Sequence, residues 1–125
     1  MTIQECIALI EVLKPHKYSD SIIVGWLSDL DQKIWQECLS WHKDTGEDEM
    51  RERYDPTTDL DTELLVPDPY SELYPTYIGM KIDYAHGEYG RYNNSMAAFN
   101  TQLSTFQDWV NRNYAPIERK VRVWR

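Results

Sequence analysis

Basic residues are scarce in this chain: 13 Lys and Arg stand against 21 Asp and Glu, a formal net charge of −8. That balance argues against a simple nucleic-acid-binding domain, whose affinity comes from neutralising phosphates. Cysteine is nearly absent as well, with Cys6 and Cys38 alone. Both fall within apolar helical patterns, which predicts buried, reduced thiols rather than a disulfide framework. No apolar run reaches the roughly 18 residues that a membrane-spanning helix needs. The start, Met1-Thr2-Ile3-Gln4-Glu5, has no basic stretch leading into an apolar one, so no secretory signal is expected. Together these absences point to an intracellular origin and no membrane partner.

The elements of catalysis are missing too. His16, His42 and His86 are isolated, without the spacing that a metal site requires. Asp59-Leu60-Asp61-Thr62-Glu63 has neither the central glycine nor the distant glutamate of an EF-hand loop. Gly87-Glu88-Tyr89-Gly90 lacks the lysine and the preceding strand of a phosphate-binding loop. Cys38 lies on a face expected to be buried, where a thiol is less reactive. Asp83 and Glu88 stand five apart and do not share a helix face. Neither an enzyme nor a cofactor is therefore expected.

What the chain does have is helical periodicity and aromatic side chains, with nine Tyr, five Trp and two Phe. Tyr and Trp pack large areas at low entropic cost and are enriched at interfaces. In the stretch from Tyr70 to Tyr114, apolar positions recur at Ile78, Ile82, Ala85, Tyr89, Tyr92, Met96, Phe99, Leu103, Phe106 and Val110. The steps alternate four and three, an a/d stripe that predicts one helix face held against a partner. As a single helix, Ile78 to Val110 would span roughly 50 Å at 1.5 Å per residue. Gly87 is a weak point, but the stripe keeps its phase across it, so one long helix with a kink is expected.

Two shorter helices precede it. Thr2 and Glu5 spell a capping box ahead of Ile3, Ile7, Ile10 and Leu13, and Pro15 ends that helix. Ser19 is the expected N-cap of a second helix, with the stripe Ile23, Leu27, Leu30, Ile34, Cys38 and Trp41 running to about His42. The tight turn between them predicts an αα-hairpin. The expected fold is thus a single, mainly all-α domain over 1–125, in which that hairpin packs on one long C-terminal helix. Residues 43–69 read as an extended acidic loop. Ten acids against Arg51 and Arg53 lie between Asp44 and Asp68, and connections this long are usually functional or disordered. Its apolar run Leu64-Leu65-Val66 is expected to be a partner-binding or strand-like segment. The basic tail, 115–125, alternates in Lys120-Val121-Arg122-Val123-Trp124-Arg125, which predicts a short β-strand needing a partner. An acidic middle and a basic tail can attract each other between copies.

Several stretches carry a resemblance. They are Ile-Glu-Val-Leu-Lys-Pro (10–15), Tyr-Ser-Asp-Ser-Ile-Ile-Val-Gly-Trp-Leu-Ser-Asp-Leu-Asp (18–31), Glu-Leu-Leu-Val-Pro-Asp-Pro-Tyr (63–70) and Ile-Asp-Tyr-Ala-His-Gly-Glu-Tyr-Gly-Arg-Tyr-Asn-Asn-Ser-Met (82–96). In these the chain resembles short proteins from the structural module of tailed bacteriophages and prophages of Gram-positive bacteria. That group is similar in plan to head–tail connector, or adaptor, proteins. The resemblance implies a virion protein made in the host cytoplasm and placed at the head–tail interface. It implies a homo-oligomeric ring, commonly twelve-fold, that extends the DNA channel without binding DNA specifically. Its partners would be the portal protein and a head-closure or tail protein. On this reading Tyr89, Tyr92, Met96, Phe99, Leu103 and Phe106 form the subunit interface. Leu64, Leu65, Val66, Arg119, Lys120, Arg122 and Trp124 would meet partners. The rival readings are a tail-completion or capsid accessory protein, and a small acidic module that sequesters a host protein.

Overall fold

The structure is a computed structural model that describes residues 1–117. It is mainly helical, with α1 (Ile3–Leu13), α2 (Asp20–Glu37), α3 (Leu73–Ala85) and α4 (Tyr89–Asn113). Short 3₁₀ turns follow α2 at Leu39–Trp41 and precede α3 at Tyr70–Glu72. The capping box at Thr2 forms in both directions, Glu5 N–H donating to Thr2 Oγ1 at 3.1 Å and Thr2 N–H donating to Glu5 Oε1 at 3.4 Å. Ser19 caps α2 by accepting from Ile22 N–H at 3.4 Å.

The long helix expected from Ile78 to Val110 is instead two. At the end of α3 the chain turns left-handed at Gly87, φ +74°. Gly87 N–H donates to Tyr84 O at 3.1 Å, and Glu88 N–H to Asp83 O at 2.9 Å. This pair of bonds around a left-handed glycine is the Schellman stop, which satisfies carbonyls that a helix end leaves open. The chain then reverses. Tyr84 lies against Tyr89 and Tyr92, Tyr77 against Phe99, and Tyr70 against Phe106 and Trp109, so α4 runs antiparallel to α3. The apolar stripe kept its phase because each half uses it to pack on the other.

One core draws on every helix and on the intervening segment: Ile3, Ile10, Ile23, Leu27, Val66, Leu73, Tyr74, Ile78, Ile82, Phe106 and Val110 are all fully buried. The stretch 43–69 is not a free loop. Ile3 N–H donates to Thr62 O, Gln4 N–H to Leu60 O and Leu64 N–H to Met1 O, so this segment runs along the start of α1. Near the C-terminus, Ile117 N–H donates to Trp41 O and Lys43 N–H to Ala115 O, both at 2.8 Å. These bonds fasten the segment after α4 to the 3₁₀ turn that follows α2. The expected strand over 120–125 lies outside the described residues.

Candidate assembly surface

The surface lies where the chain reverses and the first turns of α4 pack back along α3. Over 89–98 no residue of α4 is buried. Tyr84 is 58% exposed, Tyr89 59% and Met96 36%, and Tyr92 is half-buried. The tyrosine rings hold one another, with Tyr84 centred 5.9 Å from Tyr89 and 5.2 Å from Tyr92. Beside them Tyr77 packs against Phe99, tilted 47° with ring centres 5.2 Å apart, and carries Lys81 Nζ 5.5 Å from its ring centre. The result is a mutually packed aromatic edge, apolar in its rings and polar at its hydroxyls, of the kind found at protein interfaces.

The edge is electrically neutral. From Leu73 to Gln107 the chain has Lys81 and Arg91 against Asp83 and Glu88. Arg91 pairs with Glu88 at 3.3 Å, and Lys14 reaches from α1 to the buried Asp83 at 2.5 Å. The second Asp83 oxygen, Oδ2, is buried without a hydrogen-bond partner. Ten of the chain's acids fall between Asp44 and Asp68.

Only part of the set expected from sequence lies on this surface. Tyr89, Tyr92 and Met96 do. Phe99 and Phe106 do not: they are 7% and 1% exposed, inside the chain's own core, and Leu103 is half-buried against it. The reversal at Gly87 supplies their partner from within the same chain. Leu64, Leu65 and Val66, expected to meet another protein, are likewise core residues at 4%, 9% and 0%. Arg119, Lys120, Arg122 and Trp124 lie outside the described residues. Sequence reasoning missed Tyr84, which sits off the stripe two residues after Ile82 and is visible only once the helix turns back. Leu13, in helical spacing with the buried Ile3, Ile7 and Ile10, is itself 63% exposed, and adjoining Val12 79%.

A polar cluster in the interior explains why 43–69 is held. Asp31, 2% exposed, interrupts the apolar stripe of α2 one turn after Leu27. Its Oδ1 accepts from the Tyr74 hydroxyl at 2.5 Å; its Oδ2 accepts from the Tyr54 hydroxyl at 2.5 Å and from Leu65 N–H at 3.1 Å. Tyr74 Oη in turn accepts from Val66 N–H at 2.8 Å, and Tyr54 Oη from Arg51 Nη1 at 3.0 Å. Each phenol proton is thereby left to point at the carboxylate. Burial holds the Asp31 carboxyl above its ordinary value, against the opposing pull of these donors. Burial and the adjacent Asp31 push both phenols up. Arg51 continues outward to Glu47 at 2.5 Å and to Glu63 O at 2.7 Å. The cluster ties α2 and α3 to the acidic segment. Its groups are spent on one another, which suits a clamp better than a reaction centre.

The thiols are similarly enclosed. Burial, with Asp31 nearby, pushes Cys6 up to about 12, and burial pushes Cys38 up to about 11, so neither is a thiolate near neutral pH. Among the described residues no group of three or more His, Cys, Asp and Glu side chains is placed to hold a metal ion. Among them, too, no helix is long and apolar enough to cross a membrane. Comparison with protein-family models, with curated proteins and with solved structures finds no match.

Proposed function

We propose that the chain is a structural protein of a tailed-phage particle, a head–tail connector that assembles as a ring of identical copies below the portal. The observation that carries this reading is the exposed Tyr84, Tyr89, Tyr92 and Met96 edge. It stands on a rigid helical pair with no net charge, in a protein whose net charge is otherwise strongly negative. A ring subunit needs a stiff element whose face its neighbour can cover, and aromatic side chains supply area there at low entropic cost. A channel for DNA must also let phosphates pass, and an acidic wall does not retain them. The likeness of 63–70 and 82–96 to phage structural proteins supplies the specific role. Portal contacts fall to the basic tail in this reading, because Leu64, Leu65 and Val66 are used inside the fold.

The test is to mix the chain with the portal protein of its own phage or prophage and follow mass by light scattering after chromatography. The connector reading expects a stable complex with at least one copy per portal subunit. Removal of residues 118–125 should weaken it. A well-folded chain that ignores the portal, and stays a monomer beside it, would overturn the reading in favour of a tail-completion or sequestering protein.

A further inference from the structure

The flank of α4 away from the tyrosine edge carries a second feature. Where α1 meets the helical pair there is an open groove of about 320 Å³, walled by Leu13, Lys14, Pro75, Gly79, Ser95 and Ala98. Leu13 and neighbouring Val12 are the most exposed large apolar side chains of the described residues, at 63% and 79%. The wall at Gly79 is bare: a Cβ there would meet only the stem and ammonium of Lys14, each at 4.0 Å. The rim also offers Thr76, Asn94 and Ser95 as hydrogen-bonding groups. An apolar recess with polar groups at its lip suits a phenol ring, which is apolar along its body and polar at its tip.

Helix periodicity sets the relation between the two features. At 3.6 residues per turn, the direction of Asn94, Ser95 and Ala98 lies about 150° around α4 from that of Tyr89, Tyr92 and Met96. The edge and the groove therefore face nearly opposite ways on one rigid element. Charge narrows the occupant. The −8 of each copy comes from the stretch Asp44 to Asp68, so copies repel where those segments face each other, but the hairpin bearing both features balances Lys81, Arg91 and Arg112 against Asp83, Glu88 and Asp108. The charged residue walling the groove is Lys14, already paired with Asp83. A second copy can meet this chain here without confronting like charge.

We propose that the groove is the receiving half of a head-to-tail contact, in which the Tyr89, Tyr92 and Met96 edge of a second copy packs against Leu13, Pro75 and Ala98. The inference rests on the reading of the chain as a self-assembling protein. It adds that the contact is heterologous: each copy uses one face to give and another to receive, the arrangement from which closed rings are built. An edge-to-edge contact would instead stop at a dimer.

Two charge insertions separate these cases. Tyr89→Arg spoils the edge, and Ala98→Arg spoils the groove; both positions are exposed, so folding is preserved and circular dichroism checks it. At a concentration where the unaltered chain assembles, alone or on the portal, each variant alone is expected to run at the mass of one chain. An equimolar mixture is expected to double that mass and go no further, because one sound edge meets one sound groove. Gly79→Leu, which fills the groove from its wall, should behave as Ala98→Arg does. The inference is overturned if Ala98→Arg assembles like the unaltered chain, if the mixture stays at one chain mass, or if the unaltered chain never self-associates. Portal binding reports separately on the connector role. Doubling in the mixture without portal binding keeps the contact and rejects that role. Portal binding with normal assembly of Ala98→Arg does the reverse.

Discussion

Replacing Tyr74 by Phe removes one oxygen from the interior, and the structure says what that costs. The hydroxyl donates to Asp31 Oδ1 and accepts from Val66 N–H. Tyr74, Val66 and Asp31 are 0%, 0% and 2% exposed, so water does not replace either bond. Loss of a hydrogen bond to a carboxylate costs about 1.5–3 kcal/mol, and leaving a buried N–H unmet costs about 1–3 kcal/mol. The two overlap, and about 3 kcal/mol in total is expected, a large share of the roughly 5–15 kcal/mol that holds most domains folded. Tyr54→Phe is the internal comparison. Tyr54 is half-buried, its backbone N–H stays bonded to Ser28 Oγ, and Arg51 keeps Glu47 and Glu63 O, so about 1 kcal/mol is expected. Urea unfolding followed by tryptophan fluorescence reads both. With a slope of about 2 kcal/mol per molar, the Tyr74→Phe midpoint should fall by about 1.5 M and that of Tyr54→Phe by about 0.5 M. In an Asp31→Asn background the cost of Tyr74→Phe should shrink, because the two groups share one bond. A Tyr74→Phe cost below about 1 kcal/mol, or no larger than that of Tyr54→Phe, would refute the clamp.

Two glycines near the hairpin turn should respond with opposite signs to the same substitution. Both have open space where a Cβ would go, but Gly87 sits at φ +74° while Gly90 is helical. Gly87→Ala should therefore cost about 1 kcal/mol and Gly90→Ala should gain about 0.5 kcal/mol in urea unfolding; matching signs would reject the backbone argument. A third prediction concerns acid. Hydrogen bonds from the Thr57 hydroxyl and from the backbone N–H groups of Thr57 and Thr58 hold the Asp55 carboxyl down to about 2. Its folded value lies below the unfolded one of about 3.9, so its contribution is full above that and fades as pH falls from about 4 toward 2. Asp55→Asn keeps an acceptor for the turn but does not titrate. The acid limb of its stability profile over that range should be shallower, and an unchanged limb would count against this origin.

Local chemistry was legible in the sequence, and the choice of partner was not. Thr2, Glu5 and Ser19 announce helix starts through residues at most three apart, and those caps form as expected. The stripe from Ile78 to Val110 correctly names the face that is covered at Ile78, Ile82, Phe99, Phe106 and Val110. Periodicity is blind to whether the cover is another chain or the same chain folded back. The deciding event was a single left-handed residue at Gly87, whose φ depends on carbonyls and N–H groups that close only when the helix stops. Leu64-Leu65-Val66 failed for a related reason. An apolar triplet in an acidic stretch is equally consistent with a partner and with a core. What settles it is backbone pairing to Met1, over sixty residues away, together with the Asp31 carboxylate that receives Leu65 N–H. Asp31 itself was open to reading, as an acid in register with Leu27 and Ile34 on a buried stripe.

The placement of charge connects this interior to the proposed surface. A segment with ten acids and two arginines resists packing against anything acidic, yet here it is bound tightly to the fold. It is held by groups that tolerate its charge: Arg51 bridges Glu47 to Tyr54 and to Glu63 O, Arg53 pairs with Asp29, and Asp31 collects the phenols and Leu65 N–H. Both arginines of the segment are thus consumed locally, and the segment keeps its surplus of negative charge. The hairpin of α3 and α4 is left without net charge, and the edge and groove proposed for self-association lie on it. The clamp and the assembly face are in this sense one arrangement. Loosening the clamp, as Tyr74→Phe does, should release acidic chain able to move toward the hairpin and so weaken self-association as well as stability. Tyr54→Phe, with its smaller cost, should weaken it less, and self-association that is untouched by a destabilising Tyr74→Phe would show the two to be independent.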